Sequence, residues 1–335
     1  MDMRITHADA DKNELRFFDF IEKYDAQVSI APGAVLVDNS FSLSLADHDW
    51  QSRPILKGHF LYIDGTEWGG PVEEVTHNTG TGVITLSGPT WRGMLMRKII
   101  NPPAGQGYLT VSGEANTVIA SVLGTSMGGL FTVSTTNTGI NLNASWRYQK
   151  MHDALEKALE AAGLTLDIKY SAALKTVLIA ARAVVDHSAT VDLSQDYGIA
   201  MRSIQGRMDG YNHIIALGAG ELQDRDVLHV YRLANGTITT TAPAWAGTAQ
   251  DMVTVYDYSN PESLADLLAG AAKRLQEMAP LDGVEIDPSD ADIELPMGDI
   301  VGARDRLTGL TATARIIEKI LVIDQSGTKI DTKVG

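Results

Sequence analysis

The sequence has 335 residues, a formal net charge of −15 and no cysteine. Its length exceeds one ordinary hydrophobic core and predicts two or three domains that fold without covalent cross-links. The lack of cysteine excludes disulfides, thiolate metal sites and a cysteine nucleophile, and it is compatible with assembly in a reducing cytoplasm. The negative charge argues against a surface that grips nucleic acid, although an acidic surface that only maintains solubility is its plainer explanation.

The N-terminus and the apolar segments give no sign of membrane targeting. Arg4 is the first positive charge and is followed by acidic residues without an apolar block, which does not match a secretory signal. The apolar run Val177–Val185 is interrupted by Arg182 and is far shorter than the ~20 residues of a membrane span. We therefore expect a soluble protein without stable membrane insertion.

Short strands separated by turn residues dominate the N-terminal part. The predicted strands are Leu15–Phe20, Gln27–Ile30, Phe41–Leu45, His59–Ile63, Val72–His77 and Val83–Leu86. Such short, evenly spaced strands are typical of a closed or nearly closed barrel. Pro89 begins a helix whose Trp91, Leu95 and Ile99 share one face, and Asn101–Pro103 ends it. We assign residues 1–101 to a first barrel-like domain.

A change of pattern marks a second segment, 102–196, which we predict to be a small α/β domain. The boundary contains Pro102, Pro103, Gly105 and Gly107. Helices are predicted at 114–123 and at Trp146–Ala162, the second ended by Gly163. Strands are predicted at Leu164–Ile168 and Thr176–Val185.

The third segment, 197–335, repeats the theme of several strands and one helix. It begins with a strand at Tyr211–Leu217 and a hairpin insertion near 218–250 that contains an Asn235-Gly236 turn. A helix follows at Pro261–Ala279, capped by Ser259 or Asn260. The segment ends with an acidic strand at Val284–Ile286, a strand-rich run at Thr311–Asp324 and a last strand after Gly327. We predict a second barrel-like domain here. The whole chain is then a β-rich α+β protein.

Three segments carry a family resemblance: Gly88–Pro103, Tyr211–Gly220 and Leu295–Val301. Together with the strand-rich layout, they resemble siphophage tail-tip hub proteins, also called tail-associated proteins, which are akin to the baseplate hub of contractile phages. The resemblance extends over essentially the whole chain. Its motifs are structural and include no catalytic fingerprint.

The resemblance implies a structural protein and not an enzyme. It implies a homotrimer in which two barrel-like tube domains per subunit form a ring that joins the sixfold tail tube to the threefold tip and lines the DNA exit channel. The implied partners are the distal tail protein, the tape measure protein and a tail fibre or receptor-binding protein, at the virion tail tip after assembly in the host cytoplasm. DNA would pass without specific binding, and we expect an acidic lumen. Because longer relatives carry a C-terminal hydrolase or fibre region and this sequence ends at Gly335, we expect no built-in lysin.

One short motif suggests a serine hydrolase. Gly124-Thr-Ser126-Met-Gly128 matches G-x-S-x-G and is similar to the serine segment of subtilisin. Such an enzyme needs a histidine to accept the serine proton and a carboxylate to orient that histidine. The upstream histidines, His7, His48, His59 and His77, lack a His-Gly-Thr-His context. A small-residue helix end and loop is therefore favoured over a catalytic Ser126.

An acidic run suggests calcium binding. Asp287, Asp290, Asp292 and Glu294 offer the carboxylate oxygens that calcium prefers. The run lacks the glycine of an EF-hand loop and contains Pro288, so a solvated acidic loop is favoured.

The remaining chemical motifs are weaker still. No pair among the eight histidines has the spacing of a helical zinc site, and His213 is expected on a barrel face. Gly218-Ala-Gly220 does not open a nucleotide-binding helix, and the tryptophans Trp50, Trp68, Trp91, Trp146 and Trp245 are too dispersed for a sugar platform. We predict no catalytic, cofactor or metal site. Two alternatives stay open: a tail-associated cell-wall hydrolase with an unrecognised site, and the hub of a contractile injection system.

Overall fold

A computed structural model of the chain describes residues 3–18, 21–31, 33–124, 127, 129–189, 200–206, 210–234, 236–261, 263–278, 282–287, 295–304, 307 and 311–335. The chain forms two compact units. Unit 1 contains Met1–Ser203 and Val284–Gly335, and unit 2 contains Ile204–Gly283. Unit 2 is therefore an insertion within the sequence of unit 1.

Unit 1 begins with the strands β1 (Ile5–Ala8), β2 (Glu14–Phe17), β3 (Lys23–Ser29), β4 (Ser40–Ala46), β5 (Phe60–Ile63), β6 (Gly69–Pro71), β7 (Glu74–Asn78), β8 (Val83–Pro89) and β9 (Ile99–Ile100). It continues with β10 (Leu109–Glu114), β11 (Phe131–Val133), β12 (Asn141–Trp146), β13 (Gln149–Lys150), β14 (Leu164–Ser171) and β15 (Thr176–Ala183). Its helices are α1 (Asp47–Ser52), α2 (Trp91–Met96), α3 (Ala115–Leu123) and α4 (Met151–Glu160).

The second part of the chain runs through unit 2 and back. β16 (Ala200–Gly206) leads into unit 2, which holds β17 (His213–Leu217), β18 (Val227–Arg232), β19 (Ile238–Thr239), β20 (Val253–Asp257) and α5 (Leu264–Glu277). β21 (Asp282–Asp287) pairs with β16 and leads back to unit 1, where β22 (Ile300–Arg304), β23 (Thr311–Asp324) and β24 (Gly327–Val334) follow.

The largest sheet of unit 1 has seven strands and joins the two ends of the sequence. Its order is β22-β23-β3-β4-β8-β7, and β24 also pairs with β23. Along β3, Tyr24, Ala26 and Val28 are buried while the residues between them are partly exposed, as expected for a strand with one face in a core. The C-terminal strands β22, β23 and β24 therefore share a sheet with strands of the predicted segment 1–101.

A four-stranded sheet, in the order β2-β1-β5-β6, lies between two hydrophobic cores. All residues of β1 and β5 are buried, so this sheet is covered on both faces. One core contains Ile5, Leu61 and Ile63 with Tyr24, Leu43 and Leu321 of the large sheet. The other contains Ala8, Phe60 and Tyr62 with Trp91, Leu155, Leu166 and Tyr170 from α2, α4 and β14.

The fold is β-rich α+β, as predicted, but no sheet closes into a barrel among the described strands. The large and four-stranded sheets meet at a corner formed by Gly70 and Gly88. A Cβ at Gly88 would lie 2.0 Å from the carbonyl oxygen of Pro71, and a Cβ at Gly70 would lie 1.9 Å from that of Pro89. Only glycine permits such close backbone packing. The short, evenly spaced strands of the sequence therefore form two sheets packed against each other and not one closed barrel.

The helix predicted from Pro89 ends earlier than expected. α2 begins after Thr90, whose hydroxyl accepts a hydrogen bond from a first-turn amide, and Trp91 and Leu95 are buried as predicted. Ile99 does not share their face, because it belongs to β9, which pairs with β13, and its side chain is 47% exposed. The four-residue spacing of apolar residues continues past the end of the helix.

The helix predicted over Trp146–Ala162 is also shorter in the structure. Trp146 ends β12, and α4 begins only at Met151. Between them, Tyr148 has a φ of +50°, a left-handed conformation that a continuous right-handed helix excludes. The helix predicted at 114–123 is confirmed by α3.

In the C-terminal part, the predicted helix and strands are present, but the helix is shorter than the predicted Pro261–Ala279 and the predicted cap is wrong. α5 begins after Ser263, whose hydroxyl accepts a hydrogen bond from the Asp266 amide at 3.1 Å, so neither Ser259 nor Asn260 is the cap. β21 contains the predicted acidic strand, and β23 coincides with Thr311–Asp324. Asn235 of the predicted turn lies outside the described residues. Among the described helices, none is both long enough and apolar enough to cross a membrane.

Unit 2 consists of one sheet covered by one helix. The strand order is β19-β18-β17-β20, with β17 antiparallel to β18 and parallel to β20. Its core is formed by Ile214, Ala216, Val230, Leu267, Ala271 and Leu275. All of these residues belong to β17, β18 or α5, so the core of unit 2 is built from its own sequence.

Candidate functional site

A polar surface covers the outer face of the large sheet, opposite its core. Strand register places Asp25 beside Ser42, Ser42 beside Ser87 and Ser87 beside Glu74, so one row of polar residues crosses four strands. The next row contains Lys23, Ser44, Thr85 and Thr76. We call these eight residues the polar sheet face. Its middle strands carry only short hydroxyl side chains, so the surface is smooth as well as polar.

The side chains of the polar sheet face hold one another in place. The Lys23 ammonium lies 3.0 Å from an Asp25 carboxylate oxygen, and the hydroxyl oxygens of Ser44 and Thr85 lie 3.3 Å apart. The Ser87 hydroxyl donates a hydrogen bond to Glu74 at 3.4 Å. These contacts satisfy the polar groups within the surface, so it presents few free donors to a partner.

A groove of about 530 Å³ lies at one end of this face. Its lining includes Asp25, Gln27 and Ser42 from the sheet, Glu73, Glu74 and Arg97 at one side, and Leu36 and Val37 of a short 3-10 helix. Arg97 forms an ion pair with Glu73. The carboxylates of the lining outnumber its single cation, so the groove is acidic.

Two strands leave unpaired edges at the sides of the large sheet. Among the described strands, β7 pairs only with β8, and β24 pairs only with β23. Every residue of β24 is at least partly exposed. Outward-facing N–H and C=O groups of such strands are available for pairing with another chain.

A buried junction ties together the segments that lead to and from unit 2. Asp299, in the predicted motif Leu295–Val301, is 1% exposed. Its Oδ1 accepts from Arg182 Nη1 at 2.7 Å and from the Val185 amide at 3.1 Å, and its Oδ2 lies 3.1 Å from His187 Nε2. This arrangement satisfies a buried carboxylate through several donors, which is the condition for burying one at all. Its role is structural.

A second buried ion network holds α2 against the middle of unit 1. Arg92 is fully buried; its Nε lies 3.0 Å from Glu67, its Nη1 lies 2.5 Å from Glu156, and its Nη2 donates to the Leu166 carbonyl at 3.0 Å. Although burial lowers it, the pKa of Arg92 is raised overall by the carboxylates of Glu67 and Glu156. The guanidinium therefore stays charged and fixes three segments to one another.

Two histidine pairs are in contact, and the two members of each pair come from different strands or loops of the sequence. His7 is buried, and its Nε2 lies 2.8 Å from Nδ1 of His59. In unit 2, His213 Nε2 lies 2.9 Å from His229 Nδ1, and His213 Nδ1 lies 2.8 Å from Asp251 Oδ1. Over the described ranges, no group of three or more His, Asp or Glu side chains is arranged to hold a metal ion.

The Asp251–His213 pair has two of the three parts of a catalytic triad. Although burial raises it, the pKa of the Asp251 carboxyl is held below its ordinary value by the Gly247 amide and by His213. In a triad the second histidine nitrogen faces a nucleophilic hydroxyl, whereas here it contacts His229. His213 lies on a sheet face, as predicted, although the sheet is not a closed barrel.

The structure describes only some of the residues weighed as chemical sites. Ser126 of the G-x-S-x-G segment and Asp290, Asp292 and Glu294 of the acidic run lie outside the described residues, and Asp287 is the last residue of β21. The tryptophans are dispersed, as predicted. Trp68 is buried in the core below the large sheet, Trp91 and Trp146 are buried in the second core, Trp50 packs at the edge of the first, and Trp245 contacts Tyr231 in unit 2.

The fold of the chain is that of phage tail proteins of known structure. It matches a tail protein of prophage MuSo2 from Shewanella oneidensis at 15% identity, covering 99% of this chain and 98% of that chain, with a TM-score of 0.55. It matches a tail protein from Neisseria meningitidis at 16% identity, 99% and 95% coverage and a TM-score of 0.54. A prophage tail protein from Listeria monocytogenes matches at 11% identity, 98% and 94% coverage and a TM-score of 0.56.

The family is shown by the sequence itself. Residues 45–335 match the family described as Siphovirus ReqiPepy6 Gp37-like protein, and the chain belongs to that family. No curated protein matches the sequence. The resemblance to a siphophage tail protein, inferred from the three sequence segments, is therefore confirmed for the family and the fold.

Proposed function

We propose that this chain is a structural hub protein of a phage tail tip. Three copies form a ring that joins the sixfold tail tube to the threefold tip and lines the channel through which DNA leaves. The family and the shared fold support a role in the tail. The observation that carries the proposal is the polar sheet face, which has the chemistry of a wall that DNA passes and does not bind.

The polar sheet face disfavours contact with DNA in two ways. The cations that would replace phosphate counterions are scarce on it, and Lys23 is already paired with Asp25. The neighbouring groove is lined by three carboxylates, of Asp25, Glu73 and Glu74, against the one cation Arg97, and this excess of negative charge repels the phosphate backbone. The serine and threonine side chains in the middle of the face are short, so they make few contacts with DNA that passes along it.

The edge strands supply a route to a ring. If β24 of one copy lies beside β7 of the next, the outer ladder groups of both strands find partners. Such a head-to-tail contact closes into a ring when the rotation between copies allows it. A closed β-wall around the channel would then form only when the copies assemble. In this arrangement the sheet of unit 2 is the second tube domain. The domain limits inferred from the sequence stay predictions.

The partners follow from this position. The ring would contact the distal tail protein and the tape measure protein on the tube side, and a fibre or receptor-binding protein at the tip. Assembly would take place in the host cytoplasm, and the mature site would be the virion tail tip. These contacts rest on the family and on the ring model together.

The first test is the mass of the purified protein in solution. Light scattering should give a mass near three chains, for the protein alone or after the distal tail protein is added. A monomer in both conditions would contradict the ring. Digestion of purified peptidoglycan would instead favour the wall hydrolase, and genes for a contractile sheath beside this one would favour the contractile injection system.

A second test addresses the channel surface. Glu74→Lys on the polar sheet face should make the assembled ring retain short duplex DNA in an electrophoretic mobility assay at low salt, because it replaces repulsion with attraction. Asp11→Lys, an equal change of charge at an exposed turn, should not. Equal retention by both variants would show that net charge, and not this face, decides the result.

A further inference from the structure

Unit 1 carries an exposed basic and aromatic surface around the turn at Arg147 and Tyr148. We call it the basic patch, and its members are the exposed residues Ile99, Tyr108, Arg147, Tyr148 and Lys150 and the partly exposed Lys98. Pairing of β9 with β13 places Ile99 beside Lys150, and pairing of β10 with β12 brings Tyr108 next to the turn. The Arg147 guanidinium lies 5.6 Å from the centre of the Tyr148 ring.

The basic patch reverses the charge of the chain locally. Residues 97–112 and 141–150 contain basic side chains and no carboxylate, in a chain of net charge −15. The pKa of Asp153 is lowered by its hydrogen bond to His152 and, against the effect of burial, by the Lys150 ammonium, so this carboxylate offsets part of the local charge. The three cations Lys98, Arg147 and Lys150 still leave the patch with a net positive charge.

The aromatic and aliphatic side chains of the basic patch are exposed, and one of them belongs to a residue with an unusual backbone conformation. Ile99, Tyr108 and Tyr148 are 47%, 54% and 65% exposed. Tyr148 also adopts a φ of +50°, which is uncommon for a residue other than glycine and is a recognised sign of a functional position. Tyrosine and arginine are the residues that most often anchor protein interfaces.

Unit 2 carries a surface of the opposite character, in the loop between β17 and β18. Leu222 is 94% exposed and has a φ of +53°, and it lies between the exposed carboxylates of Glu221 and Asp224. We call Glu221–Asp224 the acidic tip. The apolar Leu222 side chain and its flanking carboxylates complement the tyrosines and the cations of the basic patch.

The acidic tip is held rigidly. Backbone hydrogen bonds of 2.8 Å join Gly218 to Asp226 and Asp226 to Ala219 at the base of the loop. A Cβ at Gly220, whose φ is +93°, would lie 2.3 Å from the Asp224 carbonyl oxygen, so the turn admits only glycine there. A preformed tip loses little conformational entropy on binding.

We propose that the acidic tip of one copy docks on the basic patch of the next copy. Leu222 packs against Tyr108 and Tyr148, and Glu221 and Asp224 pair with the cations around them. Copies that each carry −15 repel one another, so a stable contact between them needs a local surface of opposite sign. This inference rests on the proposed ring and adds to the edge-strand pairing a second contact between its copies.

The absence of cysteine from the sequence allows a direct test of this contact. Gln149→Cys beside the patch and Gln223→Cys in the tip are made in separate chains, mixed and oxidised. Both glutamines are exposed, and the proposed anchors stay intact. We expect a disulfide-linked dimer of the two chains. Gln223→Cys mixed with Leu174→Cys, at another exposed loop of unit 1, is the control; equal yields in both mixtures would overturn the proposal.

Charge reversal supplies the second arm. Arg147→Glu and Glu221→Arg, each made alone in the cysteine chains, should lower the rate of cross-linking about tenfold, and the two together should restore it. Lys57→Glu, at an exposed position outside the patch, should leave the rate unchanged. A double variant no faster than either single variant would overturn the pairing.

The mass of the wild-type protein separates this inference from the ring itself. Three-chain particles without the specific cross-link would keep the ring and reject the tip-to-patch contact. A specific cross-link without three-chain particles would keep the contact and reject closure into a ring. Both results are read from the same preparations.

Discussion

Asp299 accepts a hydrogen bond from Arg182 at 2.7 Å, although 117 residues separate them in the sequence. All of unit 2 lies between the two. Arg182 also donates to the Met297 carbonyl at 2.8 Å, and the Ile300 amide donates to Val185 at 3.0 Å. The segments of unit 1 that precede and follow the insertion in the sequence are therefore joined by hydrogen bonds around one buried carboxylate.

Replacement of Asp299 should destabilise unit 1 strongly. Asp299→Ala leaves the Arg182 cation without its buried counter-charge, and breaking a buried ion pair in this way costs about 3–5 kcal/mol. Urea unfolding followed by tryptophan fluorescence measures the change. Asp167→Ala removes an exposed ion pair with Lys169 and should cost about 1 kcal/mol or less. Similar losses in the two variants would show that the junction contributes nothing special.

Removal of the Arg92 side-chain charge should be equally costly. Arg92→Met leaves Glu67 and Glu156 beside an apolar group, with an expected loss of about 3–5 kcal/mol. Adding Glu67→Gln and Glu156→Gln removes both unpaired charges and should recover part of that loss. Chemical denaturation of the single and triple variants measures this. A triple variant less stable than Arg92→Met would contradict the account, because the carboxylates would then not be the source of the loss.

Protonation of His7 should weaken the fold as the pH falls. Burial, together with His59, Arg16 and Arg53, lowers the pKa of His7 from 6.5 to about 4, against a small opposite effect of Asp9. The unfolded chain therefore takes up this proton near pH 6.5 and the folded chain only near pH 4. The contribution of His7 to the free energy of unfolding is complete above pH 6.5 and declines as the pH falls toward 4.

Denaturant unfolding at a series of pH values between 7 and 4 measures this decline. His7→Gln, which can still bond to His59, should reduce the slope of stability against pH. His77→Gln, at an exposed position of β7, should keep the wild-type slope. An unchanged slope in His7→Gln would assign the acid sensitivity to other groups.

The corner between the two sheets should tolerate no added methyl group. Gly88→Ala would place a Cβ 2.0 Å from the Pro71 carbonyl oxygen, so the backbone must move, at a cost of about 2–3 kcal/mol or more. Gly107→Ala meets no atom within 4 Å and should change stability by about 0.5 kcal/mol or less. Thermal unfolding of both variants compares them. A neutral Gly88→Ala would show that the layers are not packed backbone to backbone.

Local patterns predicted the elements whose formation depends on local sequence. α3, α5 and β23 were recognisable from apolar spacing and strand-rich composition, and the helix face of Trp91 and Leu95 is buried as expected. The predictions that failed depend on distant partners. Ile99 is a strand residue because β13 pairs with it. Among the described strands no sheet closes into a barrel, since β3 pairs with β23 and the Gly88 corner joins two separate sheets.

Two buried ion networks could have been located from the sequence, though not their partners. Arg182 interrupts the apolar run Val177–Val185, and Arg92 follows Trp91 in a largely apolar helix. A charge at such a place is buried only if it is paired. Nothing in the spacing indicates Asp299 as the partner of Arg182, because the contact depends on how the chain returns from unit 2.

The pairing of β3 with β23 also determines when the protein can finish folding. Nearly the whole sequence separates these neighbours, so a ribosome must synthesise almost all of it before the large sheet can form. Contacts of such long sequence separation form slowly. Unit 2 has a core drawn from its own residues and can condense while the polypeptide is still growing. Unit 1 is therefore begun first and completed last: the inserted unit can fold before the one that surrounds it in the sequence.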